Sequence, residues 1–154
     1  MPTTEFEKRL TGAYSRPLWN AKKGRGSFLI FEVGEKVERN GVVQGEYSFW
    51  IYCCHWRLNN GDILAANSES PEKKIETAVS ILAGHSLVSV RIEVSEAIWE
   101  FTDGIRLHTR PYSAHQDPPE DQWVVFFPDN HSVTFLSNGE LLLESPDEPN
   151  WEPV

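Results

Sequence analysis

Residues 47–58 read YSFWIYCCHWRL, and residues 86–94 read SLVSVRIEV. The first run is apolar at odd and even positions alike, as in a strand covered on both faces and lying centrally in a sheet. The second alternates. Val88, Val90, Ile92 and Val94 fall on one face and Ser89, Arg91 and Glu93 on the other, which describes a strand with one wet side. Shorter runs rich in β-branched and aromatic residues lie around these two, at 28–33, 98–101, 105–109, 123–127, 133–136 and 141–143. Asn40-Gly41, Asn60-Gly61, Asp103-Gly104 and Asn138-Gly139 punctuate them. Asn and Asp tolerate a left-handed backbone and Gly takes it freely, so these dipeptides suit tight antiparallel turns.

Two segments carry helical spacing. Over 71–83, Pro71 suits a first turn, Ser68 or Ser70 is placed to cap it, Ile75, Val79 and Leu82 share a face, and Gly84 ends the run. A shorter helix at 5–11 has Phe6 and Leu10 on one side and a capping box from Thr4 and Glu7. The halves also echo each other: Leu10-Thr-Gly12 with Leu82-Ala-Gly84, Phe31-Glu-Val-Gly34 with Phe101-Thr-Asp-Gly104, Trp50-Ile-Tyr52 with Trp123-Val-Val125, and Leu64-Ala-Ala-Asn67 with Phe135-Leu-Ser-Asn138. Their offsets are 72, 70, 73 and 71 residues, which suggests a duplicated helix–meander unit at about 4–67 and 75–143. The expected fold is therefore α+β: two related antiparallel β-meanders packed as a roll or partly open barrel, one main helix covering a side, and a short N-terminal helix. Residues 1–145 are expected to form one domain, and 146–154 (PDEPNWEPV) an acidic, Pro-rich tail pinned by Trp151 to the body or to a partner.

The chain has 154 residues and 17.6 kDa, is 40% hydrophobic, and carries a net charge of −9. That size suits one domain with a core. The acidity argues against a nucleic-acid partner, which would call for a basic footprint. No apolar run nears the ~20 residues of a membrane helix, and MPTTEFEKRL is no secretory signal, so a cytoplasmic protein without membrane contact is expected. The charge is uneven. Residues 1–57 hold nine basic and six acidic side chains, residues 58–154 five and 17, and no Lys or Arg follows Arg110. Such a segment serves either as a solvated face or as a docking surface for a basic partner.

Catalytic signatures are absent: no phosphate-binding loop, dinucleotide fingerprint, nucleophile elbow or zinc-protease helix. Cys53-Cys54-His55 alternates in direction on a strand, and no second Cys/His pair completes a tetrahedral set, so neither metal nor cofactor is expected. The two neighbouring cysteines read as reduced and buried, and nothing selects a partner for either among His85, His108, His115 and His131. Lys22-Lys23-Gly24-Arg25-Gly26-Ser27 reads as an anion-binding nest or, more simply, a flexible connection. Glu100 and Asp103 flank a strand end without a reason to act as an acid–base pair. The six tryptophans are mostly core material, with an aromatic groove as the other use.

The order Arg16-Pro-Leu-Trp-Asn20, Gly26-Ser-Phe-Leu-Ile-Phe-Glu-Val-Gly34, Gly45-Glu-Tyr47 and Cys54-His-Trp-Arg-Leu58 resembles a family of uncharacterised small bacterial proteins. The second half, from Phe101-Thr-Asp-Gly104 to Trp123, is similar to a Phe-x-x-Gly…Trp ending found in several immunity-type families. That resemblance implies a non-catalytic, immunity-like binding domain; with the charge asymmetry it makes the acidic half the surface that masks a basic partner such as a toxin, with Asp117, Glu120, Asp121 and Asp129 as candidate contacts. Two alternatives stand beside it. One is a small-molecule binder or enzyme with an aromatic pocket at Trp19, Trp50 and Trp56 and an Arg16 or Arg57 anchor. The other is a structural or oligomerising domain.

Overall fold

The run at 47–58 forms two strands in two different sheets. In the computed structural model, which describes residues 1–146, β3 (Val42–Ile51) ends in one sheet, the chain crosses at Tyr52 and Cys53, and β4 (Cys54–Asn60) begins in the other. Tyr47, Phe49 and Ile51 face the core before the crossing, and Cys54, Trp56 and Leu58 after it. The inward positions thus change from odd to even, which makes the run look apolar on both faces. It does lie centrally, twice over.

One sheet has six strands in the order β1 (Leu18–Lys23), β2 (Leu29–Arg39), β3, β9 (Asp121–Phe126), β10 (Ser132–Leu136), β11 (Leu141–Glu144). The other has five, in the order β5 (Ile63–Asn67), β4, β8 (Ile105–Pro111), β7 (Glu96–Phe101), β6 (Leu87–Glu93). Every pairing is antiparallel. The expected α+β character holds; the finer expectation of a roll or partly open barrel is not confirmed, since neither sheet closes on itself. The chain passes between them through loops, at 52–53 and 112–120, instead of through strands that bend from one sheet into the other. A common core joins them. Trp99 meets Phe31 and Phe49 edge-on, at centroid distances of 6.3 and 5.9 Å, and Trp123 at 4.8 Å.

The order helix, three-stranded meander, then two strands in the opposite sheet occurs twice: α1 (Thr3–Leu10) with β1–β5, and α2 (Glu72–Ser80) with β6–β10. Leu10, the last residue of α1, and Leu82, just past α2, are both fully buried. Asn67 and Asn138 each accept the N–H two residues on, from Glu69 and Glu140. Trp50 and Trp123 are not equivalent in this order; they sit on adjacent strands of one sheet.

Local chemistry differs from expectation in three places. Both helices start from a proline, Pro2 and Pro71, with no side-chain cap; the Pro2 carbonyl takes the N–H groups of Glu5 and Phe6, so Thr4 already lies inside α1 and the capping box is not made. The hydroxyl of Ser70 accepts the Asn67 N–H instead of capping α2. In β6 an irregularity between Leu87 and Ser89 turns Leu87 and Val90 inward and leaves Val88 exposed. Val94 has left the strand: it sits in the β6–β7 turn at φ +58 and is 90% exposed. A β-branched residue in that region is strained, whereas Asn tolerates it. Val94→Asn is expected to stabilise the protein by about 1 kcal/mol, read as a higher urea midpoint.

No helix among the described residues is long and apolar enough to cross a membrane. The tail expected at 146–154, with Trp151, lies outside the described residues apart from Pro146.

Candidate functional site

Alternation along β4, β7 and β8 sets the chemistry of the outer face of the five-stranded sheet. Trp56, Leu58, Trp99, Leu107 and Thr109 point inward and are buried, so the residues between them point to solvent: His55 and Arg57 on β4, Arg106, His108 and Arg110 on β8, Glu96 and Glu100 on β7. The register places His55 opposite Arg110 and Arg57 opposite His108. Four cation-capable side chains therefore form a small rectangle, facing partners being about 5 Å apart at Cβ. They border a cavity of about 360 Å³, completed by Asn67, Glu69 and Glu96. A second cavity of about 430 Å³ shares Arg57 and His108 and continues toward Asp62 and Arg106.

Like charges across a ladder repel, and two carboxylates offset this one. Glu96 lies 2.6 Å from His108 Nε2, and Glu69 lies 3.9 Å from His55 Nδ1. Arg57 Nη2 lies 3.2 Å from His108 Nδ1. A guanidinium can only donate, so Nδ1 accepts and Nε2–H donates to Glu96. Most other arginines have a carboxylate: Arg9 has Asp129, Arg16 has Glu46, Arg91 has Glu93, and Arg106 has Glu100. Arg57 and Arg110, both bordering the cavity, have none among the described residues.

The residues expected to form an aromatic pocket are dispersed. Trp19 and Arg16 meet at the bulge around Gly34: Trp19 Nε1 donates to the Gly34 carbonyl at 2.8 Å, and Arg16 pairs with Glu46 at 3.1 Å. Trp50 faces outward from the six-stranded sheet, packed with Ile30, Val124 and Phe126. Trp56 is core, its Nε1 donating to the Ser27 carbonyl at 2.7 Å. Trp56 and Arg57 both line the first cavity, Arg57 as the accessible polar group, and strand pairing gave it partners that spacing could not show. Their signal was present in His55-Trp-Arg57 and in Arg106-Leu-His108-Thr-Arg110, each with polar residues two apart. What was missing was that β4 pairs with β8.

The four carboxylates expected to act together do not share one place. Asp117 is exposed in the 112–120 loop, Glu120 follows it, and Asp121 accepts the Tyr52 hydroxyl at 2.9 Å at the start of β9. Asp129 lies beyond the other end of that strand, about 20 Å of extended chain away, and pairs with Arg9 at 3.3 Å. The acidic half as a whole is divided, because β6–β8 belong to one sheet and β9–β11 to the other. The cationic loop is tied down as well. The Lys23 ammonium donates to the carbonyls of Gly24 and Gly26 and pairs with Glu72 at 3.0 Å, which leaves a structural connection between β1 and β2. Glu100 pairs with Arg106 and Asp103 with His85, not with each other.

Neither thiol is poised as a nucleophile. Burial pushes Cys54 well up, and Cys53, half-buried, is raised by burial and by Glu120 and Asp121. Among the described residues no group of three or more His, Cys, Asp or Glu side chains could hold a metal ion.

The outer face of the six-stranded sheet holds a different arrangement. Glu32 is 1% exposed, and its carboxyl takes both the Ser48 hydroxyl and, at 3.4 Å, the Gly45 N–H; Trp50 Nε1 donates on to Ser48 at 3.2 Å. Burial raises Glu32 to about 7 against those hydrogen bonds and the charges of Arg39 and Lys22. Arg39 bridges the carbonyls of Gly45, Glu46 and Phe127, holding the β2–β3 arm over this face. Gly45 has no room for a side chain, since a Cβ would stand 2.6 Å from the Val33 carbonyl oxygen. No family model, curated protein or solved structure matches the chain.

Proposed function

We propose that this protein binds a small polar ligand with an anionic group, held on the outer face of the five-stranded sheet by Arg57 and Arg110. The observation that carries this is a pair of guanidiniums without carboxylate partners among the described residues, bordering one cavity. Guanidinium forks suit carboxylate and phosphate oxygens. Binding is favoured over catalysis because both nitrogens of His108 are already engaged and both thiols are held protonated. Amide chemical shifts followed during titration with phosphate, citrate, sugar phosphates and amino acids test it. Saturable shifts are expected on β4, β8 and residues 67–69, weakened at least tenfold in the Arg57→Met/Arg110→Met variant, as loss of charge-assisted hydrogen bonds implies. Shifts confined to other surfaces, or none that saturate, would reject the proposal.

A second proposal follows from the 112–121 end. Asp117, Glu120 and Asp121 fall within five residues of one another there, and this is where a basic protein partner such as a toxin would dock on an immunity-like domain. Asp117→Asn/Glu120→Gln/Asp121→Asn would then abolish capture of that partner, and unchanged capture would rule this surface out.

A further inference from the structure

We propose that the cavity bordered by Arg57 and Arg110 takes up an oxyanion together with a proton, and that His108 is the group that changes state. This rests on the ligand-binding proposal above and adds its regulation. The Arg57 guanidinium is spent on His108 Nδ1, 3.2 Å away, while Glu96 holds Nε2–H at 2.6 Å. A proton on Nδ1 turns that acceptor into a donor. Two donors cannot satisfy each other, so Arg57 is released toward the cavity and Nδ1–H becomes a further donor for the anion. Glu96 stays in place to offset the imidazolium charge. The reverse order gives the same end state: an anion that draws Arg57 away leaves Nδ1 without its donor and favours protonation.

The groups facing His108 agree with this direction. Arg57 and His55 approach from β4, Asp62 from the β4–β5 turn across the second cavity, Glu96 from β7, Arg106 and Arg110 flank it on β8, and Glu69 closes the far side of the first cavity. Arg110 has no acceptor among the described residues, and Glu69 lies 3.9 Å from His55, so a negative ligand supplies what the rectangle lacks. Because the coupling is an equilibrium one, proton and anion strengthen each other by the same factor.

Sulfate is the probe, since its charge is constant across the range in which imidazoles titrate. Calorimetry of the full chain at pH 6 and pH 8, in buffers of different ionisation enthalpy, reads both affinity and protons taken up. Binding at least tenfold tighter at pH 6, with net proton uptake, is expected. His108→Gln keeps one donor and one acceptor but no titration, so it should bind sulfate with a flat pH profile, while His55→Gln should keep most of the dependence. Circular dichroism checks that both variants fold. No sulfate binding at either pH overturns the ligand-binding proposal itself. Equal binding at both, or a dependence that survives in His108→Gln, overturns only the proton coupling.

Discussion

Glu32→Gln is expected to be more stable than the parent chain at neutral pH, by about 3 kcal/mol. The carboxyl is buried, and burial raises it from 4.5 to about 7 in the folded protein. In the unfolded chain it ionises in the ordinary range. Between pH 4.5 and 7 the unfolded state therefore gives up a proton that the folded state keeps, and stability falls as pH rises through that window. Below the window both states are neutral and the penalty vanishes; above it the penalty is constant. Gln keeps the geometry, with its carbonyl accepting from Gly45 and its amide facing Ser48, and has nothing to ionise. Urea unfolding of both proteins at about pH 3.5, 6 and 7.5 should give curves that coincide at the lowest pH and separate progressively. Parallel pH profiles would show that Glu32 ionises normally in its place.

Trp99→Ala should cost about 3–5 kcal/mol, a large share of the stability of a domain this size. Trp99 is fully buried and is the ring on which both sheets converge, touching Phe31 and Phe49 from one strand pair and Trp123 from another. Removing it leaves a cavity between sheets that no strand hydrogen bonds hold together. Its indole N–H has no acceptor among the described residues, so the loss is one of packing. Trp99→Phe tests this directly: it keeps an aromatic ring, removes an unsatisfied donor, and should cost well under half as much in urea midpoint. Equal losses for Ala and Phe would point to a hidden polar role for the indole.

The residue pattern alone identified antiparallel strands and most of their positions, since alternation and turn chemistry are local. Asn40 and Gly41 both take the left-handed conformation their dipeptide favours, as do Asp103 and Gly104. β1 and β5 went unread: Trp19-Asn-Ala-Lys-Lys23 and Ile63-Leu-Ala-Ala-Asn67 are edge strands whose exposed residues blur the period. The phase change at Tyr52–Cys53 was hidden because a buried strand and a crossing between sheets leave the same apolar signature.

Local propensity, then, determined what each segment of this chain is, and composition determined that a core can form. Partnership between the meanders belonged to tertiary structure, because the β3–β9 and β4–β8 pairings join residues 45 or more apart, and a period of two says nothing about neighbours. Pairing β4 with β8 brings Arg57 to His108 and His55 to Arg110. Exchange of strands between the sheets divides an acidic half that looks continuous along the chain, since charge in a folded protein is distributed by topology and not by sequence order.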